Sequence, residues 1–523
     1  MKKINLFYIT FCLLLALGSC KKLVEEKPLS NGTLDEFFKN KYDADAAMAA
    51  MYGQLQQQLV GEGQFRNRFT YWGEGRSDNF ESTPGTGNTS SVREMHYNAL
   101  TANNDFTDWT GLYRAIGMAN LNIAKFPQIN TFAAGSPKDQ IDINTLNSYM
   151  AQSYAMRALC YFYIVRIWGD APLRLQPYLD PNEDAYQARD PQSKILDQIV
   201  ADLSRAYDLI PKGASAPVWY IGEAAISAIA ADVYMWRHDY DNAIVWFKKE
   251  FKAKGPTGKV YNAAGANVTG AGGLATDLES TSTWKNVFIN PTGSVEAIWN
   301  IHWDVSANGC PCMSGVSTTV NNIPLRIGTE IFTGPWAKST VDVRPKQTFD
   351  VTKKEMDRTW KYYPGSFGAN GPAGSYSGTF GTDKNVYITM YRLADQYLLY
   401  AEALNKKGDL ANALKYLNLI HVRAGLPAYT ATQFTTEAAM EDAILQERQW
   451  ELFAEGKRWF DLVRTDHVYQ IMDPIMITRQ NFQGAAPVGF GPDKSDKRKY
   501  LWPLHRNVLN ANRLLVQNPP YTD

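Results

Sequence analysis

The sequence predicts a mainly α-helical protein that combines tetratricopeptide-like helix pairs with a loop-rich, strand-poor second half. Two segments, 224–247 and 394–417, align at an offset of 170 residues without a gap, and each reads as a helix, a short Asp-containing turn and a second helix. Apolar residues elsewhere recur at spacings that fit helices. The stretches between these blocks are rich in Gly, Ser, Thr, Asn and aromatic residues, which indicates long loops with short strands such as 297–303.

Composition excludes several classes of protein. The chain has 523 residues, with 53 basic and 53 acidic, so its net charge is zero and a nucleic-acid partner is not expected. With 45% hydrophobic and only 20% charged residues, the chain is expected to fold rather than stay disordered. After the first 20 residues no apolar run has the length that a membrane span requires.

The N-terminus has the layout of an export signal. Two lysines and a short apolar stretch lead to Leu17-Gly18-Ser19-Cys20, which predicts a signal peptide over residues 1–19. The ending resembles the bacterial lipobox, in which the cysteine thiol is lipidated and becomes the new N-terminus. Several acyl chains such as palmitate on Cys20 would anchor the protein stably, and residues 20–34 would form a tether. An ordinary signal peptide with an incidental cysteine is the alternative.

The helix pairs account for most of the predicted elements. Within the two aligned segments Asp239 matches Asp409 and Ala243 matches Ala413, and small residues allow antiparallel helices to approach closely, as in stacked repeats. A third, more divergent pair is predicted at 153–168 and 193–210. Further helices are predicted at 35–59, 106–126 and 436–464.

The segment 436–464 carries a dense pattern of charges that could be mistaken for a catalytic site. Glu451 and Glu455 lie four residues apart, so on one helix they point the same way, whereas a glycosidase needs carboxyl groups that flank a bond from both sides. Neighbouring arginines would keep both carboxylates ionised and leave no general acid. We therefore predict structural ion pairing here.

No residue is predicted to be catalytic, and no metal or cofactor is expected. The sequence has no G-x-S-x-G elbow, H-E-x-x-H helix or P-loop, and its six histidines are scattered. Cys310-Pro311-Cys312 lacks the spacing of a zinc site, so two free thiols or a local bridge are the readings left open.

Aromatic residues in the loop regions are the candidates for ligand binding. Trp72, Trp303 and Trp336 lie in or beside predicted loops, and Asn79 stands next to Phe80. Aromatic rings can stack on the C–H-rich face of a sugar while amides bind its hydroxyls. The alternative is that these rings only pin loops to the scaffold.

Three motifs resemble the SusD/RagB family of surface nutrient-binding lipoproteins of the Bacteroidota. Residues 155–172 (AMRALCYFYIVRIWGDAP) and 501–521 (LWPLHRNVLNANRLLVQNPPY) are similar to two of its motifs, although His505 stands where the family usually has a second proline or a similar residue. The third, 446–464 (QERQWELFAEGKRWFDLVR), is similar to its most specific signature. In this sequence the signature residues, expected to be structural, are Arg448, Glu451, Glu455, Gly456, Arg458, Trp459, Asp461 and Arg464.

The resemblance implies a non-catalytic glycan- or peptide-binding protein with a SusD-like α-superhelical fold. It implies an N-terminal part at 35–260 with the helical repeats and a C-terminal part at 261–523 with ligand loops. The family's sugar platform matches Trp72, Asn79 and Phe80, and more loosely Trp303 and Trp336.

The resemblance also implies a location and a partner. A member of the family sits at the outer membrane, facing the cell surface and held by its lipid alone, and delivers glycan to a SusC-like TonB-dependent transporter. Two alternatives are a secreted hydrolase on a helical scaffold and a protein-binding tetratricopeptide adaptor.

Overall fold

Helices dominate the chain, as predicted. The computed structural model describes residues 37–60, 67–82, 90–180, 182–213, 216–254, 277–308, 325–351, 359–362, 386–482, 484 and 486–522. No helix within these ranges is long and apolar enough to cross a membrane. In chain order the α-helices are α1 (Lys41–Val60), α2 (Arg68–Glu74), α3 (Ser90–His96), α4 (Thr110–Lys125), α5 (Ile129–Phe132), α6 (Ile143–Trp168), α7 (Gln192–Leu209), α8 (Glu223–Trp236), α9 (Tyr240–Ala253), α10 (Asn286–Ile289), α11 (Val305–Asn308), α12 (Thr329–Thr333), α13 (Arg344–Thr348), α14 (Leu393–Lys406), α15 (Leu410–Arg423), α16 (Glu437–Glu451), α17 (Arg458–Arg464), α18 (Val468–Phe482) and α19 (Arg506–Ala511).

Strands are few and form two antiparallel ribbons in the described part of the chain. Strand β1 (Phe80–Ser82) pairs with β3 (Leu325–Ile327), and β2 (Ala297–Trp303) pairs with β4 (Val386–Arg392). The prediction of a strand-poor fold is therefore confirmed. The second ribbon is longer and is irregular near Trp299.

The two aligned segments fold into matching helix pairs, α8–α9 and α14–α15. Asp239 and Asp409 cap the second helix of each pair in the same way. Each carboxylate accepts a backbone N–H at 3.2 Å and a side-chain amide at 2.7 Å, from Asn242 and Asn412 respectively. Such caps satisfy N–H groups that a helix start leaves unpaired. The repeat predicted from the sequence is thus confirmed down to its caps.

The third pair consists of α6 and α7, and a buried ion pair joins them. Arg157 donates from Nε and Nη2 to the two carboxylate oxygens of Asp202, each at 2.7 Å. The same guanidinium donates to Asn120 on α4 at 2.8 Å, so it ties three helices together. The predicted helices at 35–59 and 106–126 correspond to α1 and α4.

The helix predicted at 436–464 is two helices, and the sequence prediction is wrong at this point. α16 ends at Glu451, and α17 starts at Arg458 after a turn in which Ala454 and Gly456 have φ values of 66° and 70°. The turn packs directly against α2, because a Cβ on Gly73 would lie 2.0 Å from the carbonyl oxygen of Gly456. Position 73 therefore requires glycine for the close approach of the two backbones, and glycine at position 456 adopts the positive φ without steric cost.

One hydrophobic core connects distant parts of the chain. Its buried side chains come from both sides of the predicted boundary between residues 260 and 261. The closing segment packs against the end of α6. There the indole Nε1 of Trp168 donates to the carbonyl of Pro503 at 3.0 Å, and Asn518 donates to the carbonyl of Trp168 at 2.9 Å.

Candidate functional site

The tryptophans predicted to bind ligand are buried. Trp72 has no exposed surface, donates from Nε1 to the carbonyl of Phe106 at 2.8 Å and packs edge-on against Trp168. Trp336 is 3% exposed and donates to Asp342 at 3.1 Å. The expectation that these rings present a face to solvent is therefore wrong.

Asn79, Phe80 and Trp303 are buried as well. The amide of Asn79 donates to Glu74 at 2.8 Å and accepts from Gln449 at 3.0 Å, which uses both of its ends. The ring of Phe80 lies 5.0 Å from that of Phe453, and Trp303 is 3% exposed. All five predicted residues are therefore buried inside the scaffold, as the alternative reading expected, and the structure does not bring them together on a surface.

An aromatic surface does exist one residue away from Trp303. Side chains alternate along a strand, so His302 points to the face opposite Trp303. Its register partner on β4 is Tyr387, and their ring centroids are 5.2 Å apart. Trp219 lies against both, at 5.1 Å from His302 and 5.3 Å from Tyr387, and all three side chains are only partly buried. We call Trp219, His302 and Tyr387 the aromatic cluster.

The aromatic cluster rests on a fixed backbone. The segment 216–222, which carries Trp219, is attached to β2 because the backbone N–H of Asn300 donates to the carbonyl of Val218 at 2.7 Å. A side-chain amide binds the backbone of His302. Gln56 on α1 donates to the carbonyl of His302 and accepts from the amide of Asn308 at 3.2 Å. Rings next to side-chain amides are the combination that sugar recognition uses.

Sequence reasoning missed the aromatic cluster for a definable reason. A tryptophan next to a loop favours the last residue of β2 as a ligand contact, whereas the side chain that faces outward is the histidine before it. Trp219 gave no periodic signal because it lies in no helix or strand. The available clue was the alternation of inward and outward positions along β2.

The charged signature forms a buried network centred on Glu451. Its carboxylate binds Arg392 at 2.6 Å, Arg344 at 3.0 Å and Arg423. Burial alone would raise the pKa of Glu451, but the three guanidinium groups hold that pKa well below its usual range. Glu451 is therefore ionised and cannot serve as a general acid. Glu455 is buried beside it and binds Arg392 at 2.7 Å.

The remaining signature residues join α16 and α17 to the rest of the core. Arg448 binds Asp461 at 2.9 Å, Arg458 binds Asp78 at 2.9 Å, and Arg464 pairs with Glu402 on α14. Trp459 is fully buried, and the φ of Gly456 permits the turn described above. The structure therefore brings the eight predicted signature residues together as internal contacts.

Among the described residues, no three His, Cys, Asp or Glu side chains are grouped so that they could hold a metal ion. Cys160 is buried, and burial raises the pKa of its thiol. Cys20, Cys310 and Cys312 lie outside the described residues.

The helix pairs and the two short ribbons define a class of helical scaffold whose fold is shared with solved proteins. A SusD superfamily protein from Bacteroides thetaiotaomicron superposes with a TM-score of 0.67 at 21% identity, covering 92% of this chain and 100% of its own. A laminarin-binding SusD-like protein superposes with a TM-score of 0.67 at 18% identity, with the same coverage of both chains.

Sequence comparison gives the family. The SusD family model matches residues 339–521, and a model described as starch-binding and associating with the outer membrane matches residues 25–235. A SusD-like protein, P38, of Formosa agariphila is 26% identical over 570 aligned positions, covering 100% of both chains. The chain belongs to the SusD/RagB family.

Proposed function

We propose that this protein is a surface lipoprotein that binds an oligosaccharide or polysaccharide and delivers it, unaltered, to a SusC-like TonB-dependent transporter in the outer membrane. The aromatic cluster is the observation that carries the proposal, because it brings together three partly buried rings, two on the β2–β4 ribbon and one on the segment that the backbone of β2 holds. The family description and the laminarin-binding relative support a glycan as the ligand.

The aromatic cluster can bind a sugar through two kinds of contact. The apolar face of a pyranose stacks on an aromatic ring, and its hydroxyls reach nearby amides such as those of Gln56 and Asn308. Stacking tolerates small shifts along a sugar chain, so one surface can accept several registers. Modest affinity suits delivery, because a ligand that must pass into a transporter has to be released.

The arrangement favours binding over hydrolysis. Glu451 and Glu455 are the most suggestive carboxylate pair in the sequence, and both are buried in ion pairs with arginine. The lipid at Cys20, followed by the tether at 20–34, would hold the protein at the membrane by acyl chains alone.

Calorimetric titration against a panel of oligosaccharides, with analysis of the products, tests the proposal. We expect the wild type to bind at least one glycan without cleaving it. Removing the stacking ring in Trp219→Ala should weaken that binding about ten- to hundredfold, by analogy with stacking of bases on aromatic side chains. Tyr178→Ala, at a half-exposed ring on the loop after α6, is the control. Cleavage of the glycan, or wild-type affinity in Trp219→Ala, would contradict the proposal.

A further inference from the structure

A cleft of about 440 Å³ opens between α1, α6 and the segment before α8. Its volume falls within the range of about 300–1,000 Å³ that is typical of small-molecule sites. The side chains that matter for ligand chemistry are two tyrosines, two carboxylates and two neutral polar groups. They are Tyr149, Tyr220, Asp45, Glu223, Ser148 and Gln152.

Hydrogen bonds hold the walls of the cleft in place. The hydroxyl of Tyr52 on α1 donates to Gln152 on α6 at 2.7 Å and accepts from the backbone N–H of Ile221 at 2.9 Å, so it joins all three walls. The ring of Tyr52 also lies 5.4 Å from that of Tyr220, nearly perpendicular to it. The cleft is therefore a preformed feature of the scaffold.

One of the two tyrosines that line the cleft is exposed. Tyr220 is 48% exposed, unlike the tryptophans that the sequence suggested. Tyr149 on α6 also lines the cleft, and its hydroxyl donates to Oδ1 of Asp45 at 2.6 Å. An exposed phenol ring with polar groups around it can stack on a pyranose ring while those groups bind its hydroxyls.

The charge of the cleft is negative. Asp45 and Glu223 are its ionisable acids, and none of the described lining residues is lysine or arginine. Glu223 accepts hydrogen bonds from the N–H of Gly213 at 3.0 Å and the hydroxyl of Tyr207 at 3.3 Å, which fix its position. Lys212 and Lys249 both lie over the ring of Tyr207, and Lys212 also donates to the carbonyl of Ile210 at 2.9 Å. Carboxylates without a facing cation attract hydroxyl or ammonium donors and repel anions.

We infer that this cleft is a sugar subsite that accepts neutral or amino-sugar units and rejects uronate and sulfated units. The inference rests on the proposed function, because the segment 216–222 that lines the cleft also carries Trp219 of the aromatic cluster. The cleft thereby sets which class of glycan the protein captures.

Titration with three hexamers of equal length tests the charge preference: one of glucose, one of glucosamine and one of galacturonate. We expect the wild type to bind the glucosamine or the glucose hexamer at least tenfold more tightly than the galacturonate hexamer. Asp45→Asn and Glu223→Gln keep the size of the side chain and remove its charge. Each should therefore reduce severalfold the ratio of the affinity for the preferred hexamer to the affinity for the galacturonate hexamer. Tyr220→Ala should weaken binding of the preferred hexamer about tenfold, and Tyr178→Ala should leave the affinity for each hexamer unchanged.

The outcomes separate the two proposals. A ratio that stays the same in both charge variants, or a wild type that prefers galacturonate, overturns the subsite while leaving glycan capture in place. A wild type that binds none of a broad oligosaccharide panel overturns the proposed function, and the subsite with it. Melting temperatures of the variants near that of the wild type ensure that lost binding reflects the cleft.

Discussion

Arg458 binds Asp78 through two hydrogen bonds of 2.9 Å, from Nε to Oδ1 and from Nη2 to Oδ2, and so joins α17 to the loop after α2. Both side chains are more than nine-tenths buried, and 380 residues separate them in the sequence. The contact places a family signature residue beside the polar loop that the sequence suggested for ligand binding.

Arg458→Ala should destabilise the protein by about 3–5 kcal/mol, because it leaves the carboxylate of Asp78 buried without its main partner. Thermal or denaturant unfolding measures the change. Arg498→Ala is the control, since Arg498 forms a mostly exposed pair with Asp496 and should matter little. Normal stability combined with lost glycan binding would show that Arg458 acts in the site instead.

Acid should weaken the network around Glu451. The pKa of Glu451 is held well below its ordinary value of 4.5 by neighbouring arginines, so its stabilising contribution is present above about pH 4.5 and is lost as the pH falls. Glu451→Gln should lower stability at pH 7 by about 3–5 kcal/mol and flatten the loss of stability in acid. Unfolding curves measured from pH 3 to pH 7 give both quantities. An unchanged acid slope would argue against this assignment.

The contribution of Glu250 on α9 to the free energy of unfolding should depend on pH in the opposite direction. Its side chain is fully buried, and no described residue hydrogen-bonds either carboxylate oxygen. Burial raises the pKa of Glu250 well above 4.5, so its contribution to stability is fully present below pH 4.5 and is lost as the pH rises toward the folded-state pKa.

Glu250→Gln should therefore stabilise the protein at pH 8, by at least about 1 kcal/mol, with little effect at pH 4. Melting temperatures at the two pH values measure the difference. Exposed Glu437 offers the control, because Glu437→Gln should not produce this pH dependence. A variant less stable than wild type at pH 8 would show that Glu250 is ionised in the fold.

Cys20→Ala should release the protein from membranes, because the predicted acyl chains are its only anchor. Fractionation of cells that lack the transporter partner measures this. Cys12→Ala, within the apolar stretch of the signal, should leave the protein membrane-bound. Membrane fractionation of Cys20→Ala identical to wild type would disprove lipidation as the anchor.

The repeated helix pairs could be predicted because their determinants are local. Asp239 and Asp409 cap their helices with residues three positions away, so the pattern is visible in any short window. The break between α16 and α17 could not be predicted in this way. It depends on Glu74, whose carboxylate accepts the backbone N–H groups of Gly456 at 2.9 Å and Lys457 at 3.2 Å from far along the chain.

The candidate site also depends on contacts between distant parts of the chain, so the sequence alone could not predict it. The sequence identifies β2 as a strand but not which of its faces is covered, since that depends on where 216–222 and β4 pack. The prediction of Trp303 as a ligand residue falls on the buried face of β2, and the partly exposed ring is that of His302. Tryptophan is also highly buried on average in folded proteins, so its presence in a loop region is weak evidence of exposure.

The buried tryptophans should affect stability and leave binding intact. Trp72→Ala removes a fully buried indole and its hydrogen bond to Phe106, so we expect a loss of about 3–5 kcal/mol in the free energy of unfolding. Well below its melting temperature the variant should bind the best glycan with wild-type affinity. Trp219→Ala should show the reverse, with near-normal stability and weakened binding, because Trp219 is only partly buried. Calorimetric titration and thermal unfolding of the two variants side by side provide the measurement. If Trp72→Ala stays folded and loses binding while Trp219→Ala binds normally, the ligand site lies at the position that the sequence suggested and not at the aromatic cluster.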